Sequence, residues 1–403
     1  MKFHRTTLAN GLTIIGEERP SAVSAALGFF VKTGARDETA EVSGVSHFLE
    51  HMMFKGTDKR TALDINYELA GMGAQANAYT SEERTVYYAA VLPEYVPAAL
   101  ELFSDMLRPK LDVSEFDMEK KVILEEIALY RDRPTPVLFE AALRQYFGGH
   151  PAGNSVLGSN ESIMHLTQPQ MRAYFDRRYS QRNITLAVAG NFHWEAFVSL
   201  AEKYCGHWNG EAVSREILPH TATESVLNLH KANMQRSHVV LLSPGPSTAD
   251  PDRYAAEVLV TMLGDSSGSR VFWELYDKGL ADSVSIDNEE MDGTGLLMAY
   301  ASASPNMLEK VEEILRGIFT TPEKFTDDDL AIAKTKLGTR IVLQAESSMR
   351  RLMSIGVDWL ERGEYLEMDK EYESIKAVDR KAIGRLIERF PSSPITTVRM
   401  LPE

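Results

Sequence analysis

One strand-and-helix pattern occurs twice in this chain, and that repetition limits the fold more than any other feature. Tyr87-Tyr88-Ala89-Ala90-Val91-Leu92-Pro93 reads as a strand running into a helix, followed by Asp112-Val113-Ser114-Glu115-Phe116 and a long charged helix. Leu297-Met298-Ala299-Tyr300-Ala301-Ser302-Ala303-Ser304-Pro305 repeats it, followed by Phe325-Thr326-Asp327-Asp328-Asp329-Leu330 and a second long helix. The halves also close alike. Met171-Arg172-Ala173-Tyr174-Phe175 precedes the strand Ile184 to Val188, and Ala382-Ile383-Gly384-Arg385-Leu386 precedes Thr396 to Arg399. Strands alternating with long helices predict an α+β fold of two homologous halves, each a sheet with helices packed on one side. The boundary is expected in the polar, aperiodic stretch around Pro219. Residues 1–212 then form the first half, 213–225 a linker and 226–403 the second half, ordinary domain sizes for 403 residues.

Only the first copy carries chemistry-bearing residues in a recognisable array. His47-Phe48-Leu49-Glu50-His51 places two imidazoles at i and i+4, on one face of a helix, where both can reach one metal ion. Glu50 projects from the same side and is placed to handle a water rather than the metal; this order is the inverted zincin signature. Ser43 reads as the N-cap of that helix, Val45, Phe48, Leu49, Met52 and Met53 as its apolar surface, and Gly56 as its stop. Two ordinary histidines on a half-buried helix give the same five letters, so a third ligand is needed. With one cysteine, Cys205, a thiolate site is excluded and the remaining donor must be a carboxylate.

Glu119 and Glu126 stand seven residues apart in a helical stretch, nearly two turns, so they share a face while Glu125 points about 100° away. Taken alone they form either a partly buried carboxylate pair or one side of a solvated Glu/Lys helix.

An H-x-x-E-H box followed by Val122-Ile123-Leu124-Glu125-Glu126-Ile127 resembles the pitrilysin-like M16 zinc peptidases. So do Thr7-Leu8-Ala9-Asn10-Gly11-Leu12 as an opening strand and turn, Gly34-Ala35-Arg36-Asp37-Glu38 before the histidine box, and Gly73 to Ala78 followed by Thr85-Val86-Tyr87-Tyr88. The similarity runs through essentially the whole chain. It implies the LuxS/MPP-like metallohydrolase fold, with mainly antiparallel sheets, and a Zn2+ site of the processing-peptidase type. His47, His51 and Glu126 would be the zinc ligands, Glu50 the general base, and Glu119 a carboxylate orienting His47 or His51. Glu125 is the competing ligand. Asn77 and Ala78 would hold the substrate backbone as an added strand, the natural use of an open sheet edge.

The resemblance breaks in one place. Self-sufficient members carry an Arg and a Tyr near the zinc in a stretch matching Ser269 to Val284; here Tyr276 stands at the Arg position and Asp282 at the Tyr position. An Arg and a phenol would stabilise a developing oxyanion by roughly 3 kcal/mol per donor, and an aspartate would do the reverse. The expectation is therefore a zinc-bearing subunit paired with a homologous metal-free subunit that supplies the Arg/Tyr pair, with a homodimer as runner-up. A non-catalytic peptide-binding or structural subunit is the rival function, against which the intact box speaks.

Composition narrows the rest. Apolar residues at 44% and charged residues at 25% are those of a soluble globular protein. A net charge of −15 opposes broad electrostatic binding of nucleic acid and is compatible with basic or extended peptides. Gly264-Asp265-Ser266-Ser267-Gly268-Ser269 lacks the lysine of a phosphate loop. No apolar run of membrane-spanning length occurs, and the lone cysteine agrees with a reducing compartment, so a cytoplasmic protein with no membrane contact is expected.

Overall fold

The computed structural model describes residues Met1–Glu403 and contains eleven strands in two sheets. The first sheet is built from β1 (Lys2–Thr7), β2 (Thr13–Glu18), β3 (Ala25–Val31), β4 (Gln75–Thr80), β5 (Thr85–Val91) and β6 (Ile184–Gly190), in the order β1-β2-β6-β3-β5-β4. The second holds β7 (Ser225–Lys231), β8 (Ser237–Pro244), β9 (Ser283–Met291), β10 (Thr294–Ala303) and β11 (Thr396–Pro402), in the order β7-β11-β8-β10-β9. Removing β1 makes the two orders identical. Each sheet also has a single parallel pair, β2 with β6 and β7 with β11, and is otherwise antiparallel. The duplication read from the sequence is thus a duplication of topology, and the α+β class with two homologous halves holds.

Strands at the centre of each sheet are apolar on both faces. β3 and β6 are buried at every position, whereas the edge strands β4 and β9 alternate between exposed and covered residues. A strand buried on both faces needs a layer on each side. On the first sheet, Leu27, Phe29, Val31, Leu186 and Val188 pack into the main core with Phe48, Leu49, Phe103 and Phe197 from helices. The opposite face presents Ile15, Ala26, Phe30, Val86, Ala187 and Ala189 and is covered by Leu352 and Ile355. Those two residues lie on the helix Ser348–Arg362, which comes from the far end of the chain. Gly356 lets that helix settle on the sheet, since a Cβ there would fall 2.2 Å from the Phe30 ring.

The second sheet mirrors this arrangement. One of its faces, with Val240, Leu242, Leu296, Met298 and Val398, is covered by Leu138, Ala142 and Tyr146 of the helix Pro134–Phe147. Each sheet therefore takes one covering helix from the other half of the sequence. The chain accordingly divides into two compact units: Met1–Ala128 with Asn154–Glu216 and Leu343–Leu366, and Leu129–Gly153 with Ile217–Val342 and Glu367–Glu403. Two of the crossings between them, after Ala128 and after Val342, fall inside the two long helices, Val113–Asp132 and Asp327–Ala345.

Candidate metal centre

The histidine box forms the helix Val45–Met52, which ends one turn before Gly56. Val45, Ser46, His47, Phe48, Leu49 and Met52 are buried, so the helix lies inside the first unit rather than on its surface. The expected cap is displaced. Gly44, not Ser43, is the N-cap; its φ of +90° and the Leu157 carbonyl 2.7 Å from where a Cβ would sit exclude other residues. Glycine has no side chain with which to cap, and the helix-start N–H groups of Gly44 and Ser46 donate instead to Glu38, at 2.6 and 2.7 Å.

Phe48 stacks on Phe116, ring centroids 4.8 Å apart, and this contact aligns the long helix Val113–Asp132 with the histidine helix. One turn beyond Phe116, Glu119 reaches His51, and two turns further on Glu126 reaches both imidazoles. Nε2 of His47 lies 3.7 Å and Nε2 of His51 3.6 Å from Oε2 of Glu126. The three donor atoms fall within 4.8 Å of one another. Glu125, the competing candidate, is exposed and outside this group.

The donor chemistry fits a divalent ion such as zinc. Burial, assisted by the neighbouring His51, pushes the His47 imidazole down to about 3, so its nitrogen lone pair is available at neutral pH. Its Nδ1 is buried and has no hydrogen-bond partner. His51 differs: Nδ1 lies 2.8 Å from Oε1 of Glu119, whose other oxygen meets Lys55 Nζ at 2.5 Å. Burial pushes Glu119 up, but hydrogen bonds from His51 and Lys55 outweigh it and hold the carboxyl below its ordinary value. A carboxylate only accepts, so Nδ1 of His51 carries the proton and Nε2 faces Glu126 as a free donor atom. Burial pulls the His51 imidazole down, yet that hydrogen bond and the surrounding carboxylates raise it overall.

Glu50 lies on the same helix and accepts a hydrogen bond from Thr80 Oγ1 at 2.6 Å. Burial pushes its carboxyl up, the Thr80 bond pulls it down, and the charges of His51 and Glu126 act on it as well. Thr80 ends β4, so one hydrogen bond ties the box to the outer strand of the first sheet. Asn77 is exposed on that strand and Ala78 is buried; the Asn77 side-chain oxygen accepts from the Ala78 N–H at 2.9 Å. Thr80, Lys55 and Glu38 were not singled out as site residues by the sequence, since a lone Thr, Lys or Glu carries no spacing signal.

Residues at the Arg/Tyr stretch belong to the second unit. Tyr276 is exposed at the end of a short wide helical turn, and Asp282 Oδ2 pairs with Arg236 Nε at 3.1 Å.

Comparison with known proteins decides the family. Residues 13–160 match the family model described as Insulinase (Peptidase family M16), and residues 165–337 match that of the Peptidase M16 inactive domain. The chain belongs to peptidase family M16. Among its M16 relatives, an uncharacterized zinc protease of Mycobacterium leprae is 33% identical over 394 residues, covering 96% of this chain and 88% of the relative. The uncharacterized zinc protease YmxG of Bacillus subtilis is 31% identical over 392 residues, covering 96% and 95%. A crystal structure of a protease from Helicobacter pylori superposes with a TM-score of 0.92 at 21% identity over 100% of this chain and 99% of that one, a likeness of fold. These relationships make this M16 chain similar to zinc proteases. No helix in it is long and apolar enough to cross a membrane.

Proposed function

We propose that the chain is a zinc-dependent endopeptidase acting on short or unfolded peptides, with His47, His51 and Glu126 as the zinc ligands. The observation that carries this reading is the convergence of both imidazole Nε2 atoms on one oxygen of Glu126, with Glu50 on the same helix. Structural zinc sites are usually closed by four ligands, often cysteines, whereas three donors and a spare acid suit hydrolysis. A zinc ion held by this set supplies Lewis acidity, polarising a scissile carbonyl and easing ionisation of water at neutral pH. Glu50 accepts the proton of the attacking water and passes it to the leaving nitrogen as the C–N bond breaks. Thr80 fixes the Glu50 carboxyl by its hydrogen bond during both transfers. Glu119 orients His51 and keeps its proton on Nδ1. Asn77 and Ala78 on β4 receive the substrate backbone as an added strand. That pairing contacts main chain rather than side chains, so sequence preference is weak.

The same proposal assigns the active half to residues 1–212 and the metal-free half to 226–403, joined by 213–225. Tyr276 and Asp282 at the Arg/Tyr positions favour a heterodimer in which a homologous metal-free subunit completes the site, with a homodimer as runner-up. The lone, buried Cys205 is in keeping with a cytoplasmic protein.

Hydrolysis of a quenched fluorescent peptide by the zinc-loaded chain tests this reading. Turnover that appears only with an Arg/Tyr-bearing partner supports the heterodimer. Metal-dependent turnover by the chain alone refutes the partner requirement. A chain that binds zinc yet stays silent with every partner and peptide refutes the peptidase.

A further inference from the structure

The histidine helix has only eight residues, too short to hold its own position without tertiary support. Three side chains on it must nevertheless stay in register with Glu126 and Thr80. Its C-terminal end is braced through His51 and Lys55 against Glu119. At its N-terminal end the cap is Gly44, which supplies no side-chain acceptor. The acceptor comes from outside the helix: Oε2 of Glu38 takes the Gly44 N–H at 2.6 Å and Oε1 takes the Ser46 N–H at 2.7 Å. Both contacts lie in the region where a helix presents unpaired N–H groups and positive dipole charge.

Glu38 itself stands on a rigid base. Its neighbour Asp37 pairs with Arg178 at 2.8 Å and with Arg215 at 2.7 Å, and accepts from the Gly34 N–H at 3.1 Å. Arg36 pairs with Glu83 at 2.6 Å. Ser46 is fixed a second time, because its hydroxyl lies 2.8 Å from Tyr174 OH, which is 2.8 Å from Thr33 Oγ1. A buried polar lattice therefore runs beneath the helix turn that immediately precedes His47.

We infer that Glu38 is a positioning residue for the metal centre, acting through the Gly44 and Ser46 amides to set where the His47 imidazole stands relative to Glu126. The inference rests on the reading of His47, His51 and Glu126 as ligands. It is specific to a side chain that meets both amides through oxygen, because a carboxyl, protonated or not, keeps a lone pair on each oxygen for an N–H. A glutamine at the same place offers one oxygen and one N–H group, so one helix amide would face a donor and the helix start would shift. His47 has no hydrogen-bond partner at Nδ1 to hold it if the helix start moves, whereas His51 keeps Glu119.

The test compares Glu38→Gln, Glu38→Asp and Glu17→Gln in the full chain. Zinc affinity is read by chelator competition and ligand geometry by the visible absorption of the cobalt-substituted protein. Glu17 is as buried as Glu38, but its partners Arg351 and Tyr365 lie away from the histidine helix, so it controls for general loosening. Glu38→Gln is expected to fold, to lose about 10- to 100-fold in zinc affinity and to change the cobalt spectrum. Glu38→Asp, which keeps both acceptors on a shorter arm, should fall between it and the unsubstituted chain, and Glu17→Gln should bind zinc normally. A folded Glu38→Gln with unchanged affinity and spectrum overturns the inference, as does an equal loss in Glu17→Gln. Should Glu38→Gln fail to fold, Glu38→Asp decides by the same two readings. An unsubstituted chain that binds no zinc overturns the ligand assignment and this inference together. One that binds zinc while Glu38→Gln is unaffected overturns the inference alone.

Discussion

Nδ1 of His51 lies 2.8 Å from Oε1 of Glu119, 68 residues further along the chain on another helix. The two meet because Phe48 and Phe116 stack, and each aromatic lies three residues before its polar partner. One hydrophobic contact thus sets the register of a polar one.

Replacing Glu119 by Gln removes the charge that fixes the His51 proton on Nδ1 and leaves Lys55 without its carboxylate. Zinc affinity should fall about 10- to 100-fold. Because Glu126 and both imidazoles remain, stoichiometric binding should return at high zinc. Isothermal titration measures this, and unchanged affinity would remove Glu119 from the site.

Gly356→Ala sets two effects against each other. A helical Gly→Ala exchange gains up to about 1 kcal/mol, whereas driving a methyl into the fully buried Phe30 ring costs about 1–3 kcal/mol. The clash wins, and a net loss of about 1 kcal/mol is expected in urea unfolding. A stabilised variant would mean that the helix Ser348–Arg362 does not seat on the first sheet as described.

The buried Glu38 carboxyl gives a pH dependence of stability. Burial pushes it up from 4.5 to about 8, with the Ser46 and Gly44 amides pulling down and Asp37 pushing further up. The folded chain then holds a proton that the unfolded chain releases near 4.5. The group's contribution to stability is present below 4.5 and is lost as pH rises towards 8. Glu38→Gln cannot titrate there. The difference in melting temperature between the two chains should therefore move in favour of Glu38→Gln from pH 5 to pH 8, within the window set by those values. Parallel melting curves across that range would contradict the shift.

Legibility in the sequence followed the distance over which each feature is encoded. The box and the Glu119/Glu126 pair are short-range helical spacings, and the geometry that unites them needs only one helix–helix contact. Duplication was legible because each half repeats the same order of periodic segments. By contrast, nothing local tells the helix Pro134–Phe147 to cover the second sheet or Ser348–Arg362 to cover the first. Their apolar faces are generic, and the partner is chosen by shape, as Gly356 against Phe30 illustrates. The expected Ser43 cap failed for a similar reason. Ser43 is a good capping residue by type, but the local turn needs a positive φ at Gly44, and the acceptor arrives from Glu38 instead.

The most direct measurement concerns Glu50. Its exchange for Gln keeps the shape and a hydrogen-bond partner for Thr80 but removes the proton acceptor. The zinc-loaded Glu50→Gln chain, assayed on a quenched fluorescent peptide under conditions where the unsubstituted chain is active, should bind one zinc with normal affinity and turn over on the order of a thousandfold more slowly. Full zinc with undiminished hydrolysis would contradict the assignment of Glu50 as the base and, with it, the reading of this box as a peptidase centre.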